Sequence, residues 1–454
     1  MWVRVLVFSH SSAVDNLGGA ERSLLEFLDA WRAVDPELEV FVVSRTPSGH
    51  LQPELDRRGI PWMNLRFHSV VRHRKATTDE HIYRSARDDF AAVRALEQFI
   101  SGFEPDLVIT NTIVAPWAAL AAKLSGVPHV WFPREYGDGH EFQIPAEDVF
   151  EDIGTLSDLV VTNSRSLRDF LSEWVEAEKL AVLYPRIDIA EGNPPNPQWP
   201  FPESAAERPL RLVCVGRIAK SKGQARAVRA VAGLKLLDVH VELVLVGSAA
   251  DEDRRELETL VEASGVGDRV RLTGELEDPR PVVMAADLGL VVSDSEGFGR
   301  VTVEFMAAGK PVIGTATGAT VELVDDGVTG ALFDPKDSDS LARAIRRYAD
   351  EPGLAARHGE AAWRTLRDDI ASRHTLPPLL ARFADVTAAG SAPLPGLPRI
   401  MAYWMSLPTT AVNLLTATGG MVDPRTSLTW KVGRMAMAGP RTLLRLLRKG
   451  SGQA

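Results

Sequence analysis

Short apolar, β-branched runs recur along the chain, separated by longer stretches with helical patterning. Val3 to Ser9, Glu39 to Ser44, Asp106 to Thr110, His129 to Pro133 and Leu159 to Asn163 read as strands. The segments between them have the length of the crossovers that parallel strands require. Ser23 to Val34 reads as the first of these helices, with Leu24, Leu25, Phe27, Leu28 and Trp31 on its sheet-facing side.

The pattern breaks from Ile189 to Pro209, through GNPPNPQWP, where repeated prolines remove backbone donors and disfavour a helix. A domain boundary belongs there. The alternation restarts with Leu210 to Val215, Glu242 to Gly247, Val270 to Gly274, Leu288 to Val292, Pro311 to Gly314 and Ala331 to Phe333. The fold class is therefore α/β, with two Rossmann-like parallel-sheet domains and a ligand expected at the C-terminal strand edges, in a central cleft that the domains face. After Asp385 the alternation stops, and SAPLPGLP, from Ser391 to Pro398, reads as a second linker. The organisation expected is a domain over 1–189, a proline-rich linker over 190–209, a domain over 210–370, a helical return segment over 371–390, and a linker with a basic tail over 391–454.

At 454 residues the chain can fill two hydrophobic cores. A net charge of −10 excludes a surface built throughout to attract nucleic acid. Cys214 is the only cysteine, so an intrachain disulfide and a cysteine-rich metal site are excluded and a reducing cytosol fits. Between Val213 and Val215 it reads as core packing. The start, MWVRVLVFSHSS, reads as a strand and lacks the apolar length of a signal peptide. No apolar run reaches the roughly 18 to 20 residues of a spanning helix, which leaves the cytoplasm, with or without attachment to the inner face of the membrane.

Two segments carry candidate chemistry. In VCVGRIAKSKGQ, from Val213 to Gln224, a strand ends at Gly216, and Arg217 and Lys222 place cations beside the start of a helix. Exposed helix amides and cations suit a phosphate, but an ordinary solvated connection accounts for the same residues. The segment has neither the Walker pattern nor the dinucleotide-binding glycines. In SDSEGFGRVTVEFMAAGKPVIGT, from Ser293, a strand precedes Gly297, Phe298 and Gly299, and a helix follows. Glu296 in the loop and Glu304 on the helix can accept hydroxyl hydrogens of a sugar or ribose; independent surface glutamates fit equally well. Asp294 and Glu296 alone do not make an octahedral magnesium site, so no metal ligands are assigned.

On these residues the chain resembles the retaining glycosyltransferases of family 4, which have the two-domain GT-B fold. The resemblance runs from about Val3 to Asp385 and is strongest in GRIAKSKG, Gly216 to Gly223, and in the E-x7-E spacing of Glu296 and Glu304. GTATGATVEL, Gly314 to Leu323, resembles the family loop that follows. The resemblance implies that Arg217 and Lys222 hold a donor diphosphate, that Glu296 contacts the transferred sugar, that Glu304 holds the ribose, and that Gly216, Gly297, Phe298 and Gly299 also belong to the donor-binding residues. It makes 1–189 the acceptor-side domain and 210–370 the nucleotide-sugar domain. Gly18 and Gly19, in GGAERS, can merely cap a helix. By the resemblance they approach the donor phosphate and the acceptor on domain closure. Where many members carry a histidine, this chain reads VWFPREYGDG, with Arg134 and Glu135; a phosphate or acceptor contact and an intrachain ion pair both fit them. His10 and His140 are further cleft candidates without an assigned role.

The implied reaction is metal-independent transfer, with no cofactor, from a nucleotide-diphosphate sugar to a carbohydrate or lipid-linked saccharide, in cell-envelope or exopolysaccharide synthesis. Arg217, Lys222 and Glu296 are its catalytic candidates. A sugar phosphorylase, a nucleotide-sugar hydrolase and a non-catalytic nucleotide-responsive module are the competing readings. The tail from Arg425 to Gly450 interleaves Arg441, Arg445, Arg448 and Lys449 with leucines. It fits an anionic membrane surface as well as a packed helix, and lacks a base-reading arrangement for nucleic acid.

Overall fold

The structure, a computed structural model, describes residues 3–10, 17–71, 79–137, 142–187, 195–202, 208–394 and 396–406. The chain divides into two compact units. The first combines residues up to Asn163, Arg168–Leu183 and the described residues from Leu376 onward; the second holds Ser164–Leu167 and Tyr184–Thr375.

The first unit is built on strands β1 (Arg4–Phe8), β2 (Glu39–Arg45), β3 (Trp62–Leu65), β4 (Leu107–Thr110), β5 (His129–Trp131), β6 (Leu159–Thr162) and β7 (Leu180–Val182). All pair in parallel, in the order β3-β2-β1-β4-β5-β6-β7. Val5, Leu6, Val7 and Phe8 of β1 are fully buried, because crossover helices cover both faces of such a sheet. The two strands absent from the apolar pattern, β3 and β7, are the sheet edges. An edge strand has one neighbour and less to bury: no residue of β3 is fully buried, and β7 is only three residues long.

The first helix runs Gly19–Val34 and starts four residues earlier than its apolar stripe suggests. Glu21 in its first turn favours that start, since a carboxylate there complements the exposed amides. Leu24, Leu25, Phe27, Leu28 and Trp31 are buried against the sheet, as their spacing predicts.

The helix Leu376–Ala389 belongs to the same core. Leu376, Leu379 and Phe383 are buried in it, and the Phe383 ring lies 5.2 Å from Trp31 and 6.4 Å from both Phe27 and Phe132. The segment beyond it is pinned to this unit. Lys123 and Asp158 form a buried ion pair at 2.5 Å; Asp158 accepts the Ala392 N–H and Lys123 donates to the Ala392 carbonyl. Asp152 accepts the N–H groups of Arg399 and Ile400 at 2.6 and 2.8 Å, opening the helix Arg399–Ser406. The basic stretch 425–450 lies outside the described residues. Among the described residues no helix is long and apolar enough to cross a membrane.

In the second unit each apolar run becomes a strand: β8 (Leu210–Val215), β9 (Val241–Val246), β10 (Val270–Gly274), β11 (Leu288–Val291), β12 (Val312–Thr315) and β13 (Gly330–Phe333). Their order is β10-β9-β8-β11-β12-β13, all parallel. The chain winds outward from β8 through β9 to β10, then returns to lay β11 on the other side of β8. Between β8 and β11 is a topological switch point, where successive loops diverge and leave room at the strand ends. Cys214 is buried in the core of this unit.

Candidate functional site

The loops leaving β8 and β11 meet at that switch point. After β8 the chain passes Gly216 and Arg217, makes a tight turn over Lys220–Lys222, and enters the helix Gln224–Leu236 through Gly223. After β11 it passes Ser293 to Gly299 and enters the helix Arg300–Ala307, with Gly299 as N-cap.

The two loops fit backbone to backbone. Gly223 has φ +69°, and an added Cβ there would stand 2.0 Å from the Val292 carbonyl oxygen. The Asp294 N–H donates to the Ser221 carbonyl at 3.0 Å, and Arg226 donates to the Val292 carbonyl at 3.0 Å and the Asp294 carboxylate at 2.5 Å. With the loops held this way, Lys222 Nζ donates to Glu296 Oε1 at 2.7 Å, and the Ser293 hydroxyl donates to the same oxygen at 2.5 Å. The pair keeps one face open: the Lys222 side chain is 36% exposed and that of Glu296 19%.

A third loop, after β12, completes the support. The hydroxyls of Thr315 and Thr317 donate to the carbonyls of Ser293 and Asp294 at 2.8 and 2.7 Å, and the Ala319 N–H donates to the Glu296 carbonyl at 2.9 Å. Gly318, with φ +58°, lets this loop approach. A Cβ there would fall 2.8 Å from the Glu296 nitrogen and 2.9 Å from its carbonyl oxygen. Glu296 is thus fixed through its carboxylate by Lys222 and Ser293 and through its backbone by the third loop. A carboxylate held at both levels is oriented before any ligand arrives.

Of the other expected site residues, Arg217 is exposed at the end of β8, and Glu304 is exposed on the second turn of its helix. Gly216 is part-buried beside them, and Gly297 and Gly299 are buried. Phe298 is also buried, its ring 6.2 Å from Tyr184. The third loop leads into the short helix Thr320–Leu323, whose Glu322 accepts the Tyr184 hydroxyl at 2.6 Å and the Ser166 N–H at 2.5 Å. Burial and the neighbouring Glu322 carboxylate push the Tyr184 phenol up to about 12. Burial likewise raises the Cys214 thiol to about 12, with Lys222 opposing and Glu296 adding. Among the described residues no group of three His, Cys, Asp or Glu side chains is placed to hold a metal ion.

Gly18 and Gly19 belong to the first unit. Gly18 caps the helix Gly19–Val34 and is itself confined, since a Cβ there would lie 2.5 Å from the Glu21 carboxylate. That unit has its own switch point between β1 and β4. There Asn111 donates to the Ala20 carbonyl at 3.3 Å and accepts Arg134 Nε at 2.8 Å, while Asn163 donates to the Arg134 carbonyl at 3.2 Å. The Arg134 guanidinium also lies 4.8 Å from the Phe132 ring. His140 lies outside the described residues.

Sequence reading missed Ser293, Thr317, Gln224, Asn111 and Asn163. Ser293, Thr317, Asn111 and Asn163 share a signal, a polar or amide residue just past a strand end, and Gln224 stands at the helix start that closes such a loop, where a buried backbone needs internal donors and acceptors.

Residues 196–365 match the profile of the glycosyl transferases group 1, and residues 17–191 that of glycosyltransferase family 4. A lipopolysaccharide core biosynthesis mannosyltransferase, LpcC of Rhizobium leguminosarum bv. viciae, is 34% identical over 196 residues, 42% of this chain and 55% of that protein. The match thus spans about half the length of that relative. A D-inositol 3-phosphate glycosyltransferase of Streptomyces avermitilis is 28% identical over 396 residues, 78% of this chain and 80% of that one. Among solved structures, Anabaena HepE in complex with UDP and glucose superposes with a TM-score of 0.64 at 23% identity, covering 85% of this chain and 100% of HepE.

Proposed function

Because this chain belongs to glycosyltransferase family 4 and has the GT-B fold, we propose that it transfers a sugar from a nucleotide-diphosphate sugar to an acceptor hydroxyl, with retention at the donor anomeric carbon. The observation that carries this reading is the 2.7 Å contact of Lys222 with Glu296 at the β8/β11 switch point. The bond to be broken joins an anomeric carbon to a phosphate oxygen. A cation suited to the phosphate and a carboxylate suited to sugar hydroxyls, held side by side, match the two ends of that bond.

In this mechanism the acceptor hydroxyl attacks from the face that the leaving group departs. Its oxygen bonds to the anomeric carbon as the carbon–oxygen bond to the diphosphate breaks, and the departing phosphate takes the hydroxyl proton. Arg217 and Lys222 stabilise the charge developing on the diphosphate, a role that a metal fills in other transferases. Glu296 orients the sugar and Glu304 the ribose. Glu296 and Glu304 are not assigned as the nucleophile and acid/base of a retaining hydrolase. UDP bound to HepE supports a nucleotide donor, and the lipopolysaccharide core named for LpcC supports a saccharide acceptor in cell-envelope synthesis. The tail over 425–450 is proposed to hold the enzyme at an anionic membrane, each cation contributing about 1 kcal/mol.

A panel of nucleotide sugars read by calorimetric binding, followed by an acceptor screen read by mass spectrometry, tests the activity. Transfer gives an acceptor glycoside. Free sugar identifies a hydrolase, a phosphate-dependent product a phosphorylase, and binding without any product a non-catalytic module. Folded Arg217→Ala turning over like wild type would refute the role of Arg217, and unchanged donor binding by Glu304→Gln would refute that of Glu304.

A further inference from the structure

Gln224 opens the helix Gln224–Leu236 and is only 3% exposed. A carboxamide at that depth needs partners for both its ends. It finds them in the preceding turn: Nε2 donates to the Arg217 carbonyl at 3.0 Å, and Oε1 accepts the Ala219 N–H at 3.4 Å. Ile218, between these two, is buried and donates to the Ser248 carbonyl at 2.8 Å. The side chain of Gln224 therefore closes the turn from within, and fixes the peptide plane from which the exposed Arg217 side chain departs.

Resting on the reading of Arg217 as a contact to the leaving diphosphate, we propose that Gln224 is the positioning residue for Arg217. It touches neither substrate nor reacting atoms. It holds the direction of the guanidinium by gripping the carbonyl of Arg217 and the N–H two residues on. The chemistry is selective: glutamate keeps the acceptor but turns a carboxylate toward the Arg217 carbonyl, methionine keeps the length and has neither group, and asparagine is one carbon short. Only a carboxamide of this length satisfies both partners.

The test is a double-mutant cycle on the full chain. The readouts are kcat and KM for the nucleotide sugar that the panel selects, inhibition by inorganic pyrophosphate, and thermal unfolding. Gln224→Met is expected to lower kcat about tenfold, with a smaller change in donor KM and weaker inhibition by pyrophosphate. Combined with Arg217→Ala, it should slow the enzyme no further than Arg217→Ala alone. Independent, multiplying losses in the double variant would overturn the proposal, because Gln224 would then act through another group. So would wild-type kcat in folded Gln224→Met beside a slow Arg217→Ala. A fully active Arg217→Ala is a different failure: it removes the role of Arg217 itself and this proposal with it. Gln224→Glu supports the same comparison if the methionine variant does not fold.

Discussion

Replacing Gly223 with alanine should separate the two site loops, and the structure sets the size of the effect. At φ +69° an alanine pays about 1–2 kcal/mol for the left-handed conformation. Its Cβ would stand 2.0 Å from the Val292 carbonyl oxygen, about 1.4 Å inside ordinary contact, and both partners are backbone. Relief by movement of the loops costs about 1–3 kcal/mol more, as for other overpacked sites. The same movement pulls Lys222 from Glu296, whose 2.7 Å contact depends on the loops lying together. A misplacement of about 1 Å at a reacting centre can cost about 100-fold in rate. Expected, then, are a fall in unfolding free energy of about 2–5 kcal/mol and a loss of about 100-fold in kcat/KM for the donor. The assay pairs urea unfolding with release of nucleoside diphosphate. Gly233→Ala, inside the same helix with nothing within 4 Å of its added Cβ, is the control and should gain about 0.5–1 kcal/mol with unchanged turnover. If Gly223→Ala matches wild type in both stability and turnover, the close loop packing is not what holds the site.

Three further predictions follow from buried groups. Phe383→Ala, which removes a ring packed on Trp31, Phe27 and Phe132, should cost about 3–5 kcal/mol; no loss in urea unfolding would show that the helix Leu376–Ala389 is not part of the first core. Burial pushes Asp89 up to about 6, against hydrogen bonds from His68, and Asp152 also to about 6, against the N–H groups of Ile400 and Arg399. Each then holds in the folded state a proton that the unfolded chain releases near pH 4, so stability falls as pH rises from about 4 to about 6 and levels off above. Asp89→Asn should remove about half of that slope, and an unaltered pH profile of the urea midpoint would refute it. Cys214, buried and raised to about 12, should resist a thiol reagent in the native protein and react only on unfolding; rapid native labelling would contradict its burial.

The strands of the second unit were legible because the apolar character of each stands out from its flanks, even at the edge β13, where three of four residues are buried. β3 and β7 were not, since these two edge strands bury little and carry little apolar signal. The helix Gly19–Val34 was read from its stripe, which begins only where a side chain must face the sheet; its first turn is set by capping and charge. Ser391 to Pro398 looked like a free linker from its prolines. What ties it down, Asp158 and Asp152, lies far away in the sequence and has no local mark.

The candidate site shows the same division between what a segment says and what topology adds. Arg217, Lys222 and Glu296 stood out as charged residues between a strand end and a helix start, Glu304 as one on the helix that follows, and each fitted a bland surface role equally well. Lys222 and Glu296 are 74 positions apart, and no local pattern puts one beside the other. The winding does. Two crossovers carry the chain away from β8 to β10, and the next returns it, laying β11 along the other side of β8. Their two loops then face each other across the switch point, and the charges that were ambiguous separately become a pair. Ser293, Thr317 and Gln224 could not be found this way. Their task is to satisfy the backbone of loops brought together, and that need does not exist until the strands are adjacent. A reading that placed β11 beside β8 first, and then asked which small polar residues the joined loops require, would have found them.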